Sequence, residues 1–214
     1  MRTNILLIRH GETAWNAERR LQGHIDIALN REGERQAQAL AGALAQERID
    51  LVVSSDLQRA HQTAQALALR HQLPVQVDAG LRERCYGAFE GLLYAEIERR
   101  FPLDYAAWQA RDIDAVMPSG THQAESFRQF YARSLAAILA WAATHPGKTL
   151  ALVAHGGVLE CAYRAALEMP LASPRNFSVH NASINRFCLA DGKLSLLGWG
   201  DVHHLEEGVL DELA

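Results

Sequence analysis

Short apolar runs alternate with longer amphipathic stretches along the 214 residues of the chain. The apolar runs predict strands at 4–9, 50–54, 75–77 and 149–154. The stretches between them predict helices at about 30–48, 56–70, 94–101, 123–144 and 158–167. Strands that alternate with helices are typical of an α/β domain with a largely parallel sheet.

The pattern changes in two places. Two apolar runs at 184–190 and 193–199 flank Asp191-Gly192 and predict a β-hairpin at an edge of the sheet. The segment LRERCYGAFEGL (81–92) shows neither the helical nor the strand period, so it predicts an irregular region. Compact domains commonly keep functional residues in such segments.

Three of the predicted strands end where a polar group precedes a helix. ILLIRHGET (5–13) delivers Arg9 and His10, SSDLQR (54–59) delivers Arg59, and AHGG (154–157) delivers His155. In an open parallel sheet the carboxyl ends of the strands lie at one edge, where ligands bind. The sequence therefore predicts one pocket built from three distant segments.

The residue types at these strand ends suit phosphoryl transfer. Arg59 falls in the first turn of its predicted helix, where the helix dipole disfavours a cation unless an anion binds; a solvated surface arginine is the alternative. A neutral imidazole can attack phosphorus, and arginines match the charge on the phosphoryl oxygens, so no metal is required. Glu83, in the irregular segment, supplies a carboxylic acid for the leaving oxygen.

Composition excludes several classes of function. A hydrophobic content of 49% indicates a globular domain, and a formal charge of −4 without a basic run argues against binding to nucleic acid. The apolar runs are all too short for a membrane span, and the N-terminal run is too short for a signal-peptide core, so we expect a cytoplasmic protein with no membrane association. The three cysteines lack zinc-type spacing, and adjacent His203 and His204 would point to opposite faces of a strand. We expect neither a metal nor a cofactor.

Seven segments, in order, carry a resemblance that covers almost the whole chain. They are LLIRHGETAWN (6–16), LQGHIDIALNREGERQA (21–37), VVSSDLQRAHQTA (52–64), LRERCYGAFEG (81–91), ESF (125–127), LALVAHGGVL (150–159) and NASIN (181–185). With these motifs the chain resembles the histidine phosphatase superfamily, in its phosphoglycerate-mutase-like branch. The resemblance implies a single domain over 1–214 with three layers, in which helices flank a mostly parallel central sheet.

The resemblance also implies the catalytic residues. His10 would form a phosphohistidine intermediate, with Arg9, Arg59 and His155 around the phosphoryl group. Glu83 would donate and then accept a proton.

Further residues are candidates for phosphate or substrate binding. Asn16 matches an asparagine that the family places near the phosphate, and Gln22 and Gly23 match the segment at the pocket mouth. Gly156 and Gly157 lie at a strand-to-helix turn, where a glycine lets the backbone approach a ligand closely, and Gly156 is the candidate for binding. The roles of four more residues near these motifs stay open: His24, Arg84, Tyr86 and His122.

Within this family the resemblance leaves a choice between phosphatases and mutases. Glu90, before the second glycine of YGAFEGL, matches the phosphatase form. Mutases carry a longer insertion with paired arginines. The segment 99–127 has Arg99 and Arg100 but then Asp104, Asp112 and Asp114, and this acidic character suits a less anionic substrate. We therefore expect a metal-independent phosphomonoesterase that acts on a small phosphorylated metabolite.

Two alternatives remain. One is a 2,3-bisphosphoglycerate-dependent phosphoglycerate mutase, which shares the same core motifs. The other is a regulatory protein that binds a phosphorylated ligand without turning it over. The natural substrate and a possible homodimer are not determined by the sequence.

Overall fold

The computed structural model describes residues 1–205 and 210–211. The strands are β1 (Thr3–Arg9), β2 (Leu51–Ser54), β3 (Val75–Val77), β4 (Thr149–Ala154), β5 (Ile184–Ala190) and β6 (Lys193–Asp201). The helices are α1 (Ala14–Ala17), α2 (Arg31–Ala43), α3 (Gln58–His71), α4 (Tyr94–Arg100), α5 (Pro102–Gln109), α6 (Phe127–Thr144) and α7 (Gly156–Ala166). Two 3₁₀ turns, Ala79–Leu81 and Gly87–Phe89, lie in the otherwise irregular segment before α4.

The six strands form one sheet in the order β3-β2-β4-β1-β5-β6. The strands β3, β2, β4 and β1 run parallel, β5 is antiparallel to β1, and β6 is antiparallel to β5. The prediction of a mostly parallel sheet with a hairpin at one edge is therefore confirmed. The strands β2, β4 and β1, whose ends carry the candidate residues, are direct neighbours.

Helices cover both faces of the sheet, because successive side chains of a buried strand point to opposite sides. In β1, Ile5 and Leu7 pack in a core cluster with α6 and α7. Leu6 and Ile8, on the other face, pack in a second cluster with α2 and α3. The prediction of a three-layer domain is confirmed.

A third, smaller cluster joins α4 and α5 to the irregular segments around them. Its buried members are Leu21, Phe89, Ile97, Met117 and Ala124. Partly buried aromatic side chains, among them Trp108, pack against this cluster. In the part of the chain that the structure describes, no helix combines the length and apolar character needed to span a membrane.

Several predicted boundaries are wrong. The helix predicted over 30–48 ends at Ala43, and tight turns follow it, with Glu47 N–H donating to Leu44 C=O. The helix predicted from 123 begins at Phe127, because the Ser126 hydroxyl caps its first turn. The helix predicted from 158 begins at Gly156.

Two helices of the structure, α1 and α5, were not predicted from the sequence. The helix α1 has four residues, which is too short to show a helical period. The helix α5 begins at Pro102, directly after α4 ends, and proline fits the first turn of a helix because its missing N–H has no partner there.

Candidate active site

The polar residues at the three strand ends come together at one edge of the sheet, beside a cavity of about 300 Å³. Arg9 is the last residue of β1, Arg59 lies in the first turn of α3 after β2, and His155 follows β4. Arg9, His10 and Arg59 line the cavity, together with Glu83 from the irregular segment. The predicted convergence of distant segments on one pocket is therefore observed.

His10 is buried, and its hydrogen bonds fix which ring nitrogen carries the proton. Nδ1 lies 2.7 Å from the carbonyl oxygen of Gly11. A carbonyl only accepts, so Nδ1 carries the hydrogen and the neutral ring keeps a lone pair on Nε2. Burial and the charges of Arg59 and Arg9 hold the pKa of His10 well below its ordinary range. The imidazole is therefore neutral at pH 7 and chemically competent as a nucleophile.

The two arginines beside His10 are buried cations. Each is only 1% exposed, so the alternative of a solvated surface Arg59 is wrong. Arg59 donates from Nη1 to Ile25 C=O at 3.1 Å and from Nη2 to Gly23 C=O at 2.8 Å. Arg9 donates from Nη1 to Val179 C=O at 2.5 Å. Burial lowers the pKa of Arg59 to about 10, so this guanidinium remains charged at neutral pH.

His155 lies next to His10 and is not among the described residues that line the cavity. The two ring centres are 5.2 Å apart, and Nε2 of His155 is 2.8 Å from Oγ of Ser55. Nδ1 has no hydrogen-bond partner among the described residues. Burial and the charge of Arg59 keep the pKa of His155 well below its usual range. A buried nitrogen in this state can donate to an added oxyanion if Ser55 donates to Nε2.

Glu83 has a carboxylate that two backbone groups hold in place. Oε1 accepts from its neighbour Arg84 N–H at 2.7 Å, and Oε2 accepts from Gly157 N–H at 3.0 Å. A Cβ at Gly157 would lie 2.3 Å from Oε1, so a larger residue there would displace the carboxylate. Gly157 lines the cavity, whereas Gly156, the residue that the sequence analysis selected, does not.

The three remaining predicted residues, Asn16, Gln22 and Gly23, line the cavity. Thr13 Oγ1 lies 3.0 Å from Asn16 Oδ1 and 3.1 Å from Gln22 Oε1, which links the two side chains. Asn181 Nδ2 donates to the His10 carbonyl at 3.0 Å and approaches Asn16 Oδ1 at 3.4 Å. These hydrogen bonds fix the positions of the Asn16 and Gln22 side chains in the wall of the cavity.

A model of the histidine phosphatase superfamily, branch 1, matches residues 5–202. The chain belongs to this superfamily. The prediction of a histidine phosphatase superfamily enzyme, made from the motifs, is confirmed.

Relatives of this chain carry both phosphatase and mutase names. Phosphoglycerate mutase-like protein 4 of Arabidopsis thaliana is 41% identical over 206 residues, which are 95% of this chain and 87% of the relative. Metal-independent phosphoserine phosphatase of Arabidopsis thaliana is 40% identical over 205 residues, which are 95% of this chain and 83% of the relative. A phosphoserine phosphatase variant from Entamoeba histolytica, solved in complex with phosphoserine, has a TM-score of 0.84 and 27% identity, with 95% of this chain and 99% of that chain covered.

The cavity is also lined by residues that were not predicted from the sequence. Trp108 and Arg111 reach it from the segment 99–127, and Arg175 and Asp211 reach it from the C-terminal part of the chain. No periodic pattern or motif identifies these residues, because they meet only through packing. Arg111 Nη2 is 2.5 Å from Oε1 of Glu160, which also lines the cavity.

The acidic residues of the segment 99–127 are placed differently from the expectation. Asp104, Asp112 and Asp114 are not among the described residues that line the cavity. Asp114 is exposed and forms an ion pair with Arg128 at 2.7 Å. The segment therefore contributes a cation, Arg111, to the site.

Of the four residues whose roles the sequence left open, one lines the cavity and three do not. Tyr86 lines the cavity, whereas Arg84, His24 and His122 do not. Among the described residues, no group of three or more His, Cys, Asp or Glu side chains is arranged to hold a metal ion.

Proposed function

We propose that the chain hydrolyses small phosphomonoesters through a phosphohistidine on His10, without a metal. The observation that carries this proposal is the buried, neutral imidazole of His10, with its Nε2 lone pair, beside the cations Arg9 and Arg59 in one cavity. In the first step Nε2 attacks phosphorus, the bond from phosphorus to the ester oxygen breaks, and Glu83 gives its proton to that oxygen. In the second step Glu83 takes a proton from water, and the water oxygen replaces Nε2 on phosphorus. Inorganic phosphate then leaves.

The residues around His10 would stabilise the phosphoryl group as it moves between oxygen and nitrogen. The transition state spreads negative charge over three equatorial oxygens, and fixed cations and N–H donors lower its energy. Arg9 and Arg59 supply the charge, and the unpartnered Nδ1 of His155 supplies a donor. Asn16 and Gln22 border the same space. The name of the metal-independent phosphoserine phosphatase from Arabidopsis thaliana supports chemistry of this kind.

The outer part of the cavity favours a leaving group that carries a carboxylate. Six arginines and three carboxylates line the cavity among the described residues. Two of the arginines, Arg9 and Arg59, lie beside His10, and we assign a carboxylate of the leaving group to a third, Arg111, whose guanidinium is held by Glu160. The relative solved with phosphoserine binds a phosphorylated carboxylic acid. The expectation of a less anionic substrate rested on aspartates that do not line the cavity, and we replace it with this proposal.

The first experiment compares phosphate release from phosphoserine and 3-phosphoglycerate with release from ethyl phosphate, which lacks a carboxylate. We expect kcat/KM to be at least about tenfold higher for the carboxylated esters, since one ion pair within a desolvated site contributes on the order of 1.4 kcal/mol or more. Arg111→Gln should reduce that preference. Arg128→Gln, which removes an exposed arginine outside the cavity, should leave it unchanged.

Three results would contradict the proposal. Efficient interconversion of 2- and 3-phosphoglycerate that depends on 2,3-bisphosphoglycerate, with little phosphate release, would identify a mutase. Tight binding of the phosphorylated acids with no turnover would identify a regulatory binding protein. Equal rates for all three esters would remove the role proposed for Arg111.

A further inference from the structure

Glu90 is a buried carboxylate outside the cavity that the proposed chemistry does not use. Its side chain is 3% exposed. Oε1 accepts two backbone hydrogen bonds, from His24 N–H at 2.9 Å and from Tyr86 N–H at 2.9 Å. One oxygen atom therefore joins two loops that are far apart in the sequence. We call them the Arg59-binding loop (22–25) and the Glu83 loop (83–90).

The Arg59-binding loop contains both carbonyl groups that hold the guanidinium of Arg59. These carbonyls belong to Gly23 and Ile25, the residues on either side of His24. Gly23 has a φ of +55°, and a Cβ there would lie 2.1 Å from Oε1 of Glu90. The backbone of this loop therefore packs directly against the carboxylate. Moving Glu90 would move the two acceptors that orient Arg59.

Two contacts hold the Glu83 loop, one to the carboxylate of Glu90 and one to the side chain of His24. The first is the bond from Tyr86 N–H to Glu90. The second is a bond from the His24 imidazole, whose Nε2 lies 2.8 Å from the Glu83 carbonyl oxygen and must donate to it. The two loops are thus connected through Glu90 and His24, next to the carbonyls of Gly23 and Ile25 that hold Arg59 and at the backbone of Glu83.

We propose that Glu90 is a positioning residue that holds Arg59, which binds the phosphoryl group, and Glu83, which transfers the proton, in the correct relative arrangement. The part that concerns Glu83 rests on the proposed function. The part that concerns Arg59 requires only that the cavity binds an oxyanion. The negative charge of Glu90 also favours the charged form of the buried Arg59.

Three substitutions of Glu90 separate its role as a hydrogen-bond acceptor from the role of its negative charge. Glu90→Gln keeps an oxygen that can accept both backbone N–H bonds, so it should retain activity within about threefold. Glu90→Ala removes the acceptor from both loops. Misplacement of catalytic groups by about 1 Å can reduce rates on the order of 10²-fold. If Glu90→Ala does not fold, Glu90→Asp decides the question, because its shorter side chain keeps the charge but moves the oxygen away from the two loops.

The readouts are chosen so that a merely structural role would not change them. Vanadate affinity, measured by calorimetry on the folded fraction, reports the oxyanion site that contains Arg59. The ratio of phosphorylation rates for an alkyl and a nitrophenyl ester reports proton transfer by Glu83. The vanadate affinity and the ratio of rates do not depend on the fraction of protein that is active. The burst amplitude measures that fraction separately. We expect Glu90→Ala, or Glu90→Asp, to weaken vanadate binding at least about tenfold and to slow the alkyl ester more than the aryl ester.

Glu96 provides a matched control. Its carboxylate accepts a backbone N–H bond from Leu93 at 2.9 Å, which is the same kind of contact in the next segment of the chain. Glu96 does not line the cavity, so Glu96→Ala should change neither readout.

The outcomes distinguish this inference from the proposed function. Wild-type protein that binds vanadate but hydrolyses no ester would refute the proposed function, and the vanadate affinities of the Glu90 variants would still test the link to Arg59. Unchanged vanadate affinity and an unchanged ester ratio in Glu90→Ala or Glu90→Asp would refute the positioning role. Equal losses in Glu90→Gln and Glu90→Ala would refute the claim that the two loop contacts carry the effect.

Discussion

Replacing Glu83 with glutamine tests the proton-transfer role and has a structural cost that can be stated in advance. Both carboxylate oxygens accept backbone N–H bonds, from Arg84 and Gly157. Glutamine has one oxygen and one NH₂ group, so one of these N–H donors would face another donor. Loss of one buried hydrogen bond of this kind should lower the free energy of unfolding by about 1–3 kcal/mol. Chemical denaturation of wild type and Glu83→Gln measures this difference.

The kinetic effect should depend on the leaving group. A positioned general acid contributes roughly 10²–10⁴-fold to a rate, which equals about 2.7–5.4 kcal/mol of activation free energy. We expect Glu83→Gln to slow phosphorylation of His10 by this factor for an alkyl ester, whose leaving oxygen is strongly basic. A nitrophenyl ester should be slowed much less, because its leaving oxygen needs no proton. Dephosphorylation should slow for both esters, since the same water attacks the same intermediate.

Burst kinetics with the two esters separate the steps. Equal slowing of phosphorylation for both esters, or no slowing, would refute the acid role. The structural alternative, in which Glu83 only forms a surface ion pair with Arg82 or Arg84, predicts small changes of at most about 1 kcal/mol. The structure argues against that alternative, because Arg82 pairs with Asp56 at 2.5 Å and the Arg84 guanidinium donates to the Glu125 carbonyl.

The charges in the cavity lead to three further predictions. Activity should survive EDTA and be inhibited by vanadate, because arginines supply the positive charge; complete loss on chelation that a divalent ion restores would contradict this. Burial lowers the pKa values of His10 and His155 in the folded chain. The unfolded chain therefore binds more protons than the folded chain below about pH 6.5. The free energy of unfolding should fall as the pH drops through that range, which denaturation at several pH values measures. Nitrogen-15 spectra of labelled histidines should show His10 neutral at pH 6.5, with the proton on Nδ1, and a normal titration near pH 6.5 would exclude this interpretation.

The features predicted best from the sequence are the buried strands and the polar residues that follow them. Ile5 to Ile8 are apolar on both faces, which indicates a strand covered on both sides, and the first polar residues after it must then lie at the sheet edge. The same reasoning places His155 and Arg59 at that edge. Glu83 is different, because its segment has no period: the need for a carboxylic acid and the resemblance selected it, and no pattern of strands placed it at the edge.

Residues that meet only through packing could not be predicted. Arg111 lies in a segment whose composition is acidic, yet the fold turns Asp114 to solvent and Arg111 to the cavity. The glycine next to Glu83 is a finer example. Gly156 and Gly157 both lie at the turn and Gly156 was the predicted binding residue, but the helix phase brings the N–H of Gly157 to the carboxylate. A shift of one residue in a helix rotates the backbone by about 100°, and no sequence pattern fixes that phase before the contact is known.

Trapping the covalent intermediate on His10 tests the central claim most directly. Phosphohistidine is stable in alkali, so rapid mixing with substrate, an alkaline quench and peptide mapping by mass spectrometry should locate the phosphoryl group. We predict that it lies on the imidazole of the peptide containing His10, forms at the rate of the burst, and is absent from His10→Ala. A phosphoryl group on any other residue, or none during measurable single-turnover hydrolysis, would contradict the account.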